Sequence, residues 1–299
     1  MITVFGSINL DLVVVVQRLP TAGETVRGPD HQTFPGGKGA NQALAAKRAG
    51  ANVAMVGAIG QDAFGTIAVS NMQDAGVDLA GVRKLPGATG LALIGIDAAG
   101  ENQIIVASGA NARVEAQWVE PVLAAGGTLL LQGEVPFAQM RPAIGRAKAK
   151  GAKVIWNPAP VPEDEFLPCL NAIDTLIVNE SEAAEIAGRA GLSTDLDMFI
   201  GHFATSSRSV VVTLGSKGVL AGQGGNRYCF GAPAVSAVDT TGAGDAFCGA
   251  LAASLDNGKP FERALKEGVA AGALACTATG AQSSAPEQDE IARLADQIF

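Results

Sequence analysis

Short, continuous apolar runs recur along the chain at 2–5, 52–57, 128–132, 153–156, 175–178 and 209–214. They are too unbroken for strands with one wet face and too short for helices. Such runs predict strands buried on both faces. Between and around them the spacing predicts helices over 42–49, 62–72, 114–125, 140–150, 180–187 and 195–204. Gly50 stands where the first should stop, after Lys47 and Arg48, and Asp62 stands where the second should start. This alternation predicts a mostly parallel sheet covered on both faces by helices. Glu134, Asn157, Asn179 and the turn 215–218 follow four of the runs. That places polar groups at the carboxyl edge, where open parallel sheets bind ligands. A second strand is expected over 12–16. Residues 17–35 are polar and broken by Pro and Gly, with a weak alternation near Val26, and read as short strands outside the main sheet. Apolar runs at 91–96 and 103–106 flank Asp97-Ala98-Ala99-Gly100, a hairpin pattern. Residues 219–221 open a further hairpin, 234–238 read as the end of a strand, and Ala/Leu-rich stretches at 247–255 and 266–273 read as helices.

Composition fits one large α/β domain over 1–299, since 48% of the residues are apolar. The net charge of −8 argues against a nucleic-acid surface. Cys169, Cys229, Cys248 and Cys276 form no C-x-x-C pair, so buried free thiols in a reducing compartment are expected. No basic leader with an apolar segment and cleavage site begins the chain, and no apolar run reaches membrane length. A cytoplasmic protein with no membrane partner is expected.

The candidate chemistry centres on Asp239-Thr240-Thr241-Gly242-Ala243-Gly244-Asp245-Ala246-Phe247, at the mouth of a helix. Free N–H groups and the helix dipole there make an anion site. Asp245 reads either as a cap or as a base held beside that site. Asn9 and Asp11, just past the first strand, read either as turn residues or as ligand groups. In Gly36-Gly37-Lys38-Gly39-Ala40-Asn41 the lysine is followed by Gly39, so this is not a Walker loop. Gly37 permits close backbone approach, and Lys38 and Asn41 offer donors. Asn179 and Glu182 lie one helical turn apart, on one face, as an N-cap Asn and a first-turn Glu. His31 and His202 are the only histidines, and neither G-x-S-x-G nor H-E-x-x-H occurs.

The stretch 239–247 resembles the C-terminal motif of the ribokinase-like (PfkB) carbohydrate kinases, and 36–43 (GGKGANQA) resembles their N-terminal sugar-binding motif. Both motifs stand in the family's order, and the resemblance spans the whole chain. It implies a three-layer α/β fold with a mostly parallel central sheet and a small β-sheet lid from about 10–35 and 90–107. It implies ATP-dependent phosphorylation of a sugar primary hydroxyl. Asp245 would be the base, and the N–H groups of Gly242, Ala243, Gly244 and Asp245 the anion hole. Asn9, Asp11, Gly37, Lys38, Asn41 and Glu134 would hold the sugar. Asn179, Thr213, Gly215, Ser216, Gly218 and Gly244 would meet ATP, and the small-residue helix at 266–273 would serve either an adenine slot or tight packing. Glu182 would hold Mg2+ through water. Asp239 and Ser284, with the carbonyls of Thr241, Ala275, Ala278 and Gly280, would hold K+. The lid implies a homodimer.

The chain departs from the family pattern at Val178, where Pro is frequent, and at Gly133, where a larger residue is frequent. Within the family the motifs stand nearer the ribose-phosphorylating members than the fructokinases or nucleoside kinases. D-ribose to ribose 5-phosphate is therefore expected. The alternatives are fructose, 2-keto-3-deoxygluconate, deoxyribose or a nucleoside. A non-catalytic sugar sensor on the same fold is disfavoured because Asp245 stands in an intact glycine loop. A dinucleotide dehydrogenase is disfavoured because no G-x-G-x-x-G follows the first strand.

Overall fold

The unbroken apolar runs become the inner strands of a nine-stranded sheet in the computed structural model, which describes residues 1–299. The first part of the chain forms β1 (Ile2–Phe5), β2 (Asn9–Val15), β3 (His31–Gly36), α1 (Lys38–Arg48), β4 (Val53–Gly60), α2 (Ala63–Asp74) and β5 (Asp78–Leu85). Next come β6 (Gly90–Ile96), β7 (Asn102–Ala107), β8 (Thr128–Leu131), α3 (Phe137–Ala149), β9 (Lys153–Trp156), β10 (Thr175–Asn179), α4 (Glu180–Arg189) and α5 (Leu196–Phe203). The rest forms β11 (Ser209–Thr213), β12 (Val219–Gln223), β13 (Asn226–Phe230), α6 (Ala243–Asp256), α7 (Phe261–Ala275) and α8 (Gln288–Ala295).

The large sheet runs β13-β12-β11-β10-β9-β8-β1-β4-β5 and is parallel except for β12, which is antiparallel to both β11 and β13. Its inner strands are mostly apolar, with Thr, Ser or Lys largely at their starts, because both faces are covered. Val211 and Ile177 feed the core beneath α1, α6 and α7, while Val210, Val212, Leu176 and Val178 feed the core beneath α3, α4 and α5. A second sheet of four strands runs β3-β2-β6-β7. In it β2 pairs antiparallel with β3 and parallel with β6, so Asp11 lies between Phe34 and Ala92. No helix is long and apolar enough to cross a membrane.

Several expectations change. The strand expected over 12–16 starts at Asn9, so Asn9 and Asp11 are strand residues of the small sheet and not turn residues. Residues 17–30 form no strand, and only His31–Gly36 pairs. The helix expected over 114–125 is a single short 3-10 segment, Ala116–Val119, followed by turns; another 3-10 segment, Gly109–Arg113, comes before it. Pro121 has no N–H to extend a ladder, and Val122 N–H closes a tight bond to Val119 O instead. Residues 234–238 pair with no strand; Val238 N–H bonds Cys276 O. β5 went unforeseen because Asp78–Leu85 carries the charges of an edge strand. All four cysteines are free, but only Cys248 is buried.

Candidate active site

α6 starts at a left-handed turn, Gly242 at φ +77, where any Cβ would stand 2.6 Å from Ala281 Cα. Only glycine meets both demands. The helical ladder opens with Ala246 N–H on Gly242 O at 2.8 Å, and Ala243 N–H returns to Thr240 O at 3.2 Å. The N–H groups of Gly244 and Asp245 bond no protein acceptor and remain as donors at the positive end of the helix. Asp245 makes no cap bond. Its carboxylate is buried and turned toward α1, where Oδ2 accepts from Asn41 Nδ2 at 2.9 Å and Oδ1 from Gln42 Nε2 at 2.9 Å.

α1 starts in the same way. Gly37 has φ +87, and a Cβ there would stand 2.7 Å from Asn9 N. This lets the chain turn tightly against the end of β1 and delivers Lys38. Glu134 locks the turn, its Oε2 accepting from Lys38 N–H at 2.9 Å and from Ser7 Oγ at 2.5 Å. Asn9 Oδ1 accepts from Asn111 Nδ2 at 2.7 Å, which fixes the Asn9 amide. Burial, followed by the charges of Glu134 and Asp245, pushes the Asp11 carboxyl up to about 6 against the pull of Lys38. Asp245 chiefly, with Glu134 and Glu182, holds the Lys38 ammonium above its ordinary value despite burial. Lys38 and Asp245 therefore join two groups of residues, one on the side of the small sheet and one on the side of α4. Asn41, expected to donate to a sugar, gives its Nδ2 to Asp245 and accepts Gln282 Nε2 at 3.1 Å on its Oδ1.

A cleft of about 270 Å³ opens beside the N-terminus of α6, walled by Lys38, Asn179, Glu182, Thr213, Gly244 and Asp245 among others. Gly215, Ser216 and Gly218 lie outside that wall, on the turn after β11, where Gly215 and Ser216 are exposed and Gly218 is buried. Asn179 and Glu182 do form a capping box, with Glu182 N–H on Asn179 Oδ1 at 2.8 Å and Asn179 N–H on Glu182 Oε2 at 2.9 Å. The box leaves each Glu182 oxygen a lone pair. Burial raises the Glu182 carboxyl, while the Asn179 N–H and Lys38 oppose the shift. Gly133 explains itself, since a Cβ there would stand 1.9 Å from Pro160 O.

Behind the glycine turn, Asp239 ties two loops together. Its Oδ1 accepts from Thr241 N–H and its Oδ2 from Gly280 N–H, each at 2.9 Å. Burial would raise this carboxyl, but those hydrogen bonds bring it below its ordinary value. Ser284 Oγ is buried with no partner. The carbonyls of Thr241, Ala275 and Ala278 accept no hydrogen bond from the protein, whereas Gly280 O takes Ser284 N–H at 3.1 Å. A carboxylate, idle carbonyls and an orphaned hydroxyl form an all-oxygen donor set that fits a monovalent cation. No three acidic, His or Cys side chains gather anywhere as a metal cluster. Glu182, the one carboxylate in the cleft wall besides Asp245, fits a magnesium ion that keeps most of its waters.

Four buried amides went unremarked as site residues in the sequence: Gln42, Gln132, Asn111 and Gln282. The available signal was a Gln beside Asn41, on the buried side of an Ala/Leu-rich helix.

A family model described as pfkB family carbohydrate kinase matches residues 1–288. A ribokinase of Haemophilus influenzae is 37% identical over 300 residues, covering 97% of this chain and 96% of that protein. A crystal structure of ribokinase from Thermotoga maritima matches with a TM-score of 0.89 at 35% identity, over 99% of each chain. A structure of Arabidopsis thaliana ribokinase complexed with ribose and ATP matches with a TM-score of 0.86 at 31% identity, over 98% of each chain.

Proposed function

The chain belongs to the pfkB family of carbohydrate kinases, and on that footing we propose that it transfers the γ-phosphoryl of ATP to the primary hydroxyl of D-ribose, giving ribose 5-phosphate. One observation carries the reading. A buried carboxylate, Asp245, stands at a helix N-terminus beside two unengaged N–H donors, at the end of a cleft lined by Lys38 and Asn179. Phosphoryl transfer asks for a proton acceptor at the attacking hydroxyl and fixed donors where charge develops. Asp245 takes the proton of the hydroxyl. The Gly244 and Asp245 N–H groups receive the negative charge on the moving phosphoryl.

Asn9, Asp11, Gly37 and Lys38 hold the sugar, with Glu134 fixing the Lys38 turn. Asn41 serves both sugar and base. Asn179, Thr213 and Gly244 meet the nucleotide phosphates in the cleft, and Gly215, Ser216 and Gly218 meet the remainder of ATP on the adjoining turn. Glu182 would hold Mg2+ through water, and that ion would neutralise phosphate charge. Asp239, Ser284 and the carbonyls of Thr241, Ala275, Ala278 and Gly280 would hold K+, which would brace the glycine turn from behind. The small sheet closes over the sugar, and its apolar outer strand pairs two copies into a homodimer.

The test is an ADP-release assay with product identification, run on ribose, 2-deoxyribose, fructose, 2-keto-3-deoxygluconate, adenosine and pseudouridine. Ribose should lead 2-deoxyribose by at least about tenfold in kcat/KM, because a missing 2-hydroxyl leaves Asp11 part-unpaired in a dry site. If deoxyribose equals ribose, Asp11 does not read that hydroxyl. If only another substrate is phosphorylated, the ribose assignment fails while the kinase class stands.

A further inference from the structure

Gln42 is fully buried in α1, among alanines and a leucine. Its Nε2 donates to Asp245 Oδ1 at 2.9 Å and to Asn157 Oδ1 at 3.1 Å. Its Oε1 accepts from Gln132 Nε2 at 2.8 Å. Asn157 is anchored in turn, with its Nδ2 on Ile177 O at 3.0 Å. Gln132 is buried too, and its own Oε1 has no partner.

We infer that Gln42 is a positioning residue for the phosphoryl-transfer base, and that Asn157 and Gln132 together hold Gln42 in the single amide orientation that offers Asp245 a donor. The inference rests on the reading of Asp245 as that base. A primary amide has two ends of nearly equal size and opposite chemistry. Reversed, Gln42 would set a carbonyl oxygen against a carboxylate oxygen. Asn157 gives its Nδ2 to the Ile177 carbonyl, so it turns its acceptor Oδ1 to Gln42, which has to answer with Nε2; the same Nε2 reaches Asp245, and Gln42 Oε1 is left to face Gln132 Nε2.

The arrangement runs against good packing at two positions. Gln132 follows the leucines of β8 and carries a buried oxygen of its own that has no partner. Gly6 ends β1 without a side chain because a Cβ there would stand 2.1 Å from Gln132 Oε1 and 2.8 Å from Gly39 Cα. The Gln132 amide makes one productive side-chain hydrogen bond, the one to Gln42, while Gly6 makes room both for that amide and for the backbone of α1. With Asn41 on Oδ2 and Gln42 on Oδ1, each oxygen of the base has a protein donor. The lone pairs left for the sugar hydroxyl are thereby aimed before substrate arrives, and proton transfer depends on such aim.

The experiment uses Gln42→Met and Gln132→Met, which keep length and remove the amide, in parent and in Asp245→Asn backgrounds. Gln42→Met should lower kcat by about ten- to a hundredfold with the sugar KM within about threefold. Gln132→Met should lower kcat by about three- to tenfold at an unchanged melting temperature, since it exchanges one orphaned oxygen for another. In the Asp245→Asn background Gln42→Met should have no further effect, because it acts through the missing carboxylate. Parental kcat in Gln42→Met overturns the inference. So does an equal loss in the Asp245→Asn background, which marks a general packing role. If Gln42→Met does not fold, parental kcat in Gln132→Met overturns it. Near-parental turnover in Asp245→Asn alone is a different result and refutes the base assignment.

Discussion

Asp245→Asn preserves the shape of the side chain and exchanges a proton acceptor for a donor. Turnover should fall by on the order of 10² to 10⁴ while ribose affinity stays within a few-fold. Single-turnover rates and calorimetry on the same sample separate the two, and turnover within a few-fold of the parent would sink the role. Asp11 carries a pH prediction. Its carboxyl stands at about 6, above the ordinary 3.8, through burial first and then Glu134 and Asp245, against Lys38. A raised acid favours the folded state fully below the unfolded value, and that contribution is lost as pH rises through about 6. Sugar binding has the opposite sign, because a protonated Asp11 has fewer lone pairs for hydroxyls. Ribose affinity should weaken as pH falls below about 6, and Asp11→Asn should flatten that slope in calorimetric titrations. An unchanged slope in Asp11→Asn assigns it to another group.

At the scale of elements, the loops behind α6 give a prediction that does not depend on turnover. Ser284 Oγ has no protein partner, so Ser284→Ala removes nothing the fold uses. Its melting temperature in a large organic cation should match the parent's, and the rise that potassium gives the parent should shrink. Equal potassium responses in parent and variant would count against the cation site. The same elements show what was legible in the sequence. Inner strands such as Thr128–Leu131, buried throughout, stand out because burial on both faces leaves a near-continuous apolar run. The mouth of α6 stands out because only glycine tolerates its turn. Asp78–Leu85 does not stand out, since an edge strand has one neighbour and carries charge. The helix read over 114–125 failed at Pro121, where periodicity outweighed a missing donor. The clamp on Asp245 is invisible in sequence because it depends on how α1 and α6 seat against one another, some 200 residues apart. No local pattern encodes that seating.

For the whole molecule, the small sheet is the unfinished surface. Ile104, Ile105 and Val106 on its outer strand β7 are 52%, 66% and 56% exposed, and β7 offers an unpaired edge. Strands of this kind invite pairing with another chain. A homodimer through this sheet is expected by light scattering at micromolar concentration. Ile105→Lys should yield a folded monomer. A parent that is monomeric under those conditions would refute the assembly.

The position of β1 also bears on how the protein is made. β1 is held between β4 and β8, so residues 2–5 keep an open edge until residues 128–131 are available. The inner side of α1 waits longer, because Gly249 of α6 comes so close that a Cβ there would stand 2.6 Å from Ala45 Cβ. On the ribosome the nascent chain must therefore carry an uncovered alanine face through most of its synthesis, with its pairing partner far downstream. Chains arrested before residue 243 should be digested rapidly by protease and bound by chaperones, whereas released full-length chains should resist both. The candidate site, with Asp245 on the late helix and Asn41 and Gln42 on the early one, can exist only after translation has nearly ended.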